Sequence, residues 1–263
     1  VYAVALAELA GDLEEEAVAL APVLGVAPYD IRVRFAGVLP RVVFNSPSRS
    51  EAERVLGLLR ARGHGALVCD TRDVPSGSGM IRIHRFAFAP DALLANDGGP
   101  RLPYDEVAAI LVARIRTDVV RKTEDVVLVP QPKGPPITAV VEHDRNEHVL
   151  DHAAYVFPRA PADGPLATAW VLRESDAQYR ALGDAMSIVR HENFLTTLAI
   201  LRARAPGAIY DDRFAAAPIG GANVLHARGH ASPEAPAQDA RADLAVHLLA
   251  RWVLREGRAE PYR

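Results

Sequence analysis

Several residue types are scarce in this chain, and each scarcity removes a class of protein. Cys69 is the single cysteine among 263 residues, so no internal disulfide is possible and a disulfide-stapled secreted scaffold is excluded. A reducing, cytoplasmic setting is expected. No apolar run approaches the roughly 20 residues that a membrane-spanning helix needs. Lysine is limited to Lys122 and Lys133, and the net charge is -3, so no overall basic field favours nucleic acid. The first residues lack a basic n-region and run straight into Glu8 and Asp12, which does not read as a signal peptide. Four familiar signatures are missing: the phosphate loop ending in Gly-Lys-Ser/Thr, Gly-x-Gly-x-x-Gly behind a strand, His-Glu-x-x-His, and Gly-x-Ser-x-Gly. Ser76-Gly77-Ser78-Gly79 has neither the lysine nor the following helix of a phosphate loop.

With 49% hydrophobic and 24% charged residues, the composition is that of a folded globular chain rather than a disordered one. The break at 74–79 divides it into a compact first part (1–75), a strand-rich second part (80–215), and a connector with a C-terminal helix (216–263). The expected fold class is α+β.

In the first part, residues 2–9 form an apolar run suited to a buried strand. Asp12 can cap a helix whose first turn holds Glu14, Glu15 and Glu16, where carboxylates favour the positive end of the helix dipole. Gly25 can end it. Pro28 opens a second short helix through Phe35. Residues 41–44 read as a strand. Ser48 with Glu51, or Ser50 with Glu53, can form a capping box, followed by a stripe of Ala52, Val55, Leu56 and Leu59, and 66–69 form a last strand. The order is β-α-α-β-α-β.

The second part begins with an alternating strand pattern over Met80–Phe88. Further strands are expected at 92–95, through Val107–Ile115, and at 126–129, 137–142, 152–157 and 168–173, with proline-rich segments at 130–136 and 158–165. Val107, Ala109, Leu111, Ala113 and Ile115 would share one face. A helix follows His191, with Phe194, Leu195, Leu198 and Leu201 as its apolar stripe. Strands closed by one helix predict a barrel or sandwich. In the tail, Asp239 can start a helix with a narrow polar stripe of Asp243, His247, Arg251 and Arg255. The rest of its circumference is apolar, so it packs on its own chain or on a partner. Leu249 and Trp252 are its candidate docking residues.

Tyr29–Ala36, and Ser50 through Val68 with its Ser-Glu-Ala-Glu-Arg-Val-Leu-Gly-Leu-Leu helix, resemble the C-terminal domain of bacterial ribosomal protein L7/L12. That resemblance implies a split β-α-β scaffold that docks proteins through paired helices. The corresponding face here carries Arg32 and Arg34 and no lysine, so it does not imply that family's GTPase partner. Phe88–Ala95, Leu102–Ile110 and the helix at 191–204 are similar to bacterial pleckstrin-homology (PH)-like domains. The loop Asn96–Pro100 has only Arg101 behind it, so this resemblance implies protein recognition rather than lipid binding.

The densest chemistry lies at 142–152. His143, His148, Asp151 and His152 offer imidazole nitrogen and carboxylate oxygen to Zn²⁺ or a similar ion. The spacing matches no familiar metalloenzyme, and a polar hairpin accounts for the same residues. The expected function is therefore that of a non-catalytic adaptor or scaffold of the bacterial cytoplasm. It would bind a protein partner or a second copy of itself, with no nucleic acid and no cofactor. The alternative is a metal-dependent hydrolase or nuclease built on the 142–152 cluster.

Overall fold

The computed structural model describes residues 1–75, 79–129, 137–160, 166–219, 225–226 and 238–256. The linker at 76–78, the proline-rich segments at 130–136 and 161–165, and most of the connector lie outside the described residues. From 116 to 149 the description is of the backbone alone.

The first part contains β1 (Tyr2–Glu8), α1 (Leu13–Leu24), α2 (Pro28–Phe35), β2 (Arg41–Ser46), α3 (Arg49–Ala61) and β3 (Gly65–Asp70). Its boundaries follow local chemistry. Asp12 accepts from the Glu14 and Glu15 amides, and Gly25, left-handed at φ 67°, donates to the Ala21 carbonyl. Ser48 accepts from the Glu51 amide, but Glu51 takes the Ser46 hydroxyl at 2.6 Å instead of closing the capping box. The acidic first turn of α1 is committed to tertiary pairs as well as to the dipole. Glu14 meets Arg32 at 2.6 Å, and Glu16 meets the Arg62 guanidinium and the buried His64 ring. The bond from Arg62 holds the Glu16 carboxyl below its ordinary value.

The second part contains β4 (Ile81–Arg82), β5 (Phe86–Phe88), β6 (Ala92–Ala95), β7 (Arg101–Pro103), β8 (Val107–Val129), β9 (Ile137–Pro158), β10 (Trp170–Arg173), α4 (Arg190–Arg204), β11 (Ile209–Asp212) and, at its edge, α5 (Arg213–Ala216); the connector carries β12 (Ala217–Ile219) and β13 (Leu225–His226). Helix α6 (Gln238–Arg251) follows and runs into a π-turn over Trp252–Glu256. The chain is thus α+β. Its strands form a sheet ordered β13-β2-β1-β3, a mixed sheet ordered β11-β8-β9-β10-β4 with β12 also on β8, and the meander β5-β6-β7. Among the described residues no sheet closes into the expected barrel. No helix there is long and apolar enough to cross a membrane.

Two strand expectations change for physical reasons. The strand expected over Met80–Phe88 is divided because the Asn96 side chain takes over its backbone pairing. Asn96 accepts from the His84 and Arg85 amides and donates to the Arg82 carbonyl. On β8, a register shift between Val107 and Ala109 turns Val107 to the other face. Val107 therefore packs with Ile110, Val112 and the α4 residues Phe194, Leu198 and Leu201. Ala109, Leu111, Ala113 and Ile115 pack on the opposite face, under α6. Leu195, expected in the α4 stripe, is exposed.

The layers run helices α1–α3, first sheet, α6, mixed sheet, then α4 with the meander. Val4 and Leu6 face the helices α1–α3. Ala3, Ala5 and Ala7 point the other way, where they meet Leu67, Cys69 and Leu248 of α6. Val246, Leu249 and Val253 face the mixed sheet. Leu249 is therefore a core residue and not the docking residue expected; its own chain covers it. Trp252 lies half-buried against Gly65, where any Cβ would stand 2.7 Å from its ring. Burial raises the Cys69 thiol to about 11.

The first half of the polar stripe of α6, Asp243 and His247, is also enclosed. Tyr155 donates to Asp243 at 2.9 Å, and His247 donates from Nδ1 to the Asp243 carbonyl at 2.8 Å while its ring meets the edge of Phe157. Among the described residues His247 Nε2 has no partner, and burial pushes this imidazole below the usual 6.5. Leu248→Ala is expected to lower stability by about 2–5 kcal/mol, with both sheets melting in one transition when followed by circular dichroism and by Trp fluorescence. Burial makes His247 harder to protonate in the folded chain than in the unfolded one. Its contribution is complete above about pH 6.5 and is lost as pH falls below that value. Urea midpoints measured between about pH 5 and pH 8 should decline on the acid side, and His247→Leu should flatten that decline.

Candidate functional site: a β-ribbon and the histidine cluster at its root

β8 and β9 are far longer than their neighbours. β10 pairs with β9 only over Ala153–Val156, and β12 pairs with β8 at Ile115. Beyond Ile115 and Asp151 the two strands pair, among the described residues, only with each other, out to Val129 opposite Ile137. At about 3.4 Å per residue this two-stranded ribbon extends on the order of 45 Å. Its distal rows join Val126 to Val140, Val127 to Ala139 and Val129 to Ile137, so the end of the ribbon is apolar by sequence. Charged residues dominate the stretch nearer the body.

The root of the ribbon is held by a compact polar assembly. β10 ends in a turn at Glu174–Ala177 that doubles back beside β9, with the Glu174 amide donating to the His152 carbonyl at 2.8 Å. Asp151, buried, accepts from the Ser175 amide at 3.0 Å and from its hydroxyl at 2.6 Å. Arg190, at the start of α4, donates to the carbonyls of Glu174, Ser175 and Ala177, and the Tyr179 hydroxyl donates to that of Glu174. Burial raises the Tyr179 phenol well above its ordinary value, which keeps it a donor. These bonds fix the Glu174 backbone from several sides.

Two imidazoles converge on Glu174. His152 Nδ1 lies 2.8 Å and His191 Nδ1 3.0 Å from the same oxygen, Oε2. The rings stand 4.8 Å apart, and both pack near the fully buried Phe194, with His191 stacked on it. Glu174 is mostly shielded, whereas the His191 side chain is 45% exposed, so the cluster opens to solvent. One donor atom from each of His152, Glu174 and His191 lies within 4.8 Å of the others, which is a set able to hold a divalent ion.

The sequence-expected ligands fare differently. His152 is part of the cluster. Asp151 is engaged with Ser175 and stands outside the cluster. His143 and His148 occupy β9 opposite Thr123 and Asp118, and their side chains lie outside the described residues. A strand sets positions 148 and 152 about 13 Å apart. The polar hairpin expected at 142–152 is continuous strand. Glu174 and His191 were not singled out by the sequence, because they are distant from His152 along the chain and their meeting depends on how β10 and α4 pack. Arg32 is half-exposed on α2, paired with Glu14 and 5.8 Å from the Tyr29 ring. Arg34 is half-buried, and burial lowers its guanidinium pKa.

Asp151→Ala should remove the two bonds that tie the turn to the ribbon root. We expect a loss of about 1.5–3 kcal/mol in urea unfolding, with Ser175→Ala costing less because the amide bond survives. No family model matches the chain, and neither does any curated protein or solved structure.

Proposed function

We propose that this protein acts by binding protein, as an assembly or adaptor component, and that the β8–β9 ribbon is its binding element. The observation that carries this reading is the ribbon's self-only pairing beyond the body, among the described residues, combined with an end that is apolar by sequence. An isolated two-stranded ribbon is marginal in water. Among the described residues each of its outer edges is unpaired and offers N–H and C=O groups to another strand, and an end that is apolar by sequence is stabilised by cover. The occupant we favour is a second copy of the chain. Identical open edges are self-complementary about a twofold axis, which is the commonest symmetry of oligomers.

Other features support the same class of function. The outer face of α1 and α2 exposes Val18, Val23, Tyr29 and Val33, beside Arg32. The element order of residues 1–75 suits an L7/L12-like docking scaffold. A PH-like second unit would also recognise protein, although that plan calls for a closed barrel. The single buried Cys69 suits a cytoplasmic location.

The experiment replaces residues 117–149 with an Asn-Gly turn between the paired Arg116 and Leu150, which suits a tight hairpin, and compares the two proteins by light scattering and sedimentation. The intact chain should be a dimer at micromolar concentration, and the shortened chain a folded monomer with the same far-ultraviolet signature from its body. An intact chain that stays monomeric at high concentration would overturn the self-association reading, as would a shortened chain that still dimerises.

A further inference from the structure

We infer that His152, Glu174 and His191 form a binding site for one divalent transition-metal ion of the zinc type. The inference is independent of what the ribbon binds. Two imidazoles turn the same kind of nitrogen, Nδ1, toward a single carboxylate oxygen, at 2.8 and 3.0 Å. Ligands at roughly 2.1 Å from a tetrahedral ion stand about 3.4 Å from one another. The ion would therefore need the donors to spread by about half an ångström, which side-chain rotation supplies without moving the backbone. Two histidines and a glutamate are a ligand set that zinc accepts with a fourth position left to water. Imidazole with carboxylate and no thiolate selects for Zn²⁺, Co²⁺ or Ni²⁺ over softer ions.

The surroundings are those of a built site. Three carbonyl contacts from Arg190, the Tyr179 hydroxyl and the Asp151–Ser175 pair hold the turn that carries Glu174. Phe194 backs both rings. Such outer contacts fix ligand orientation before the ion arrives. The three ligands come from β9, from the turn after β10 and from α4. One ion would cross-link the root of the ribbon to the body, and the partial exposure of His191 gives it a route in.

The test uses the full chain without a histidine tag, stripped with chelator. Zn²⁺ is titrated by calorimetry, and Co²⁺ is followed by visible absorption. One ion per chain is expected, with Co²⁺ showing the intense d–d bands of a four- or five-coordinate site. His191→Ala and Glu174→Gln should each weaken binding about tenfold or more, since losing even an outer-shell contact costs about that much. The double variant His143→Ala/His148→Ala should bind as the unaltered chain does. Zn²⁺ should raise the melting temperature of the unaltered chain and not that of His191→Ala, which removes a half-exposed ring and leaves the core intact. No uptake by the unaltered chain would overturn the assignment. So would undiminished uptake by His191→Ala, or loss of uptake in the His143/His148 variant.

Discussion

Enclosure of α6 is the constraint on which the rest of the structure depends. A helix apolar around most of its circumference cannot face water, and here it lies between two sheets. Leu248 meets the alanines of β1, while Val246, Leu249 and Val253 meet β8 and its neighbours. The small side chains of Ala3, Ala5 and Ala7 let the helix backbone approach the first sheet closely. Asp243 and His247 of its polar stripe are kept inside by internal bonds, with Tyr155 on Asp243 and His247 on the Asp243 carbonyl. Two segments that the sequence divides at 74–79 consequently share one interior.

This arrangement sets where chemistry and recognition can sit. With α6 closing one face of the mixed sheet and α4 the other, β8 and β9 are buried over Ala109–Ile115 and Ala153–Phe157. They emerge only where their neighbouring strands stop. The His152–Glu174–His191 cluster lies at that exit. It is assembled by the turn after β10, whose carbonyls Arg190 of α4 gathers. The body thus supports the cluster and the root of the ribbon.

Much of the first part was legible because its signals are local. Asp12, Gly25, Pro28 and Ser48 mark helix ends by their own backbone chemistry, and all four act there. The second part was read less well because its decisive features are tertiary. A one-residue register shift reassigns Val107, and the Asn96 side chain divides a strand that alternation predicts as continuous. The fate of α6 did leave a trace. β1 is apolar on consecutive positions rather than alternate ones, which is the pattern of a strand covered on both faces. Helices α1–α3 account for only one of them. The cluster left a fainter trace, since Glu174 and His191 carry no spacing that links them to His152.

The burial of Ala3, Ala5, Ala7 and Leu67 under Leu248 bears on how the chain is made. Ribosomal synthesis delivers β1 and β3 early and α6 much later, and domains generally fold as their segments emerge. The alanine face of the first sheet therefore stays uncovered while the long β8–β9 pair is still being produced. Its small side chains limit the apolar area offered to other chains during that interval. The same alanines that permit close packing in the finished molecule also make the unfinished one less adhesive.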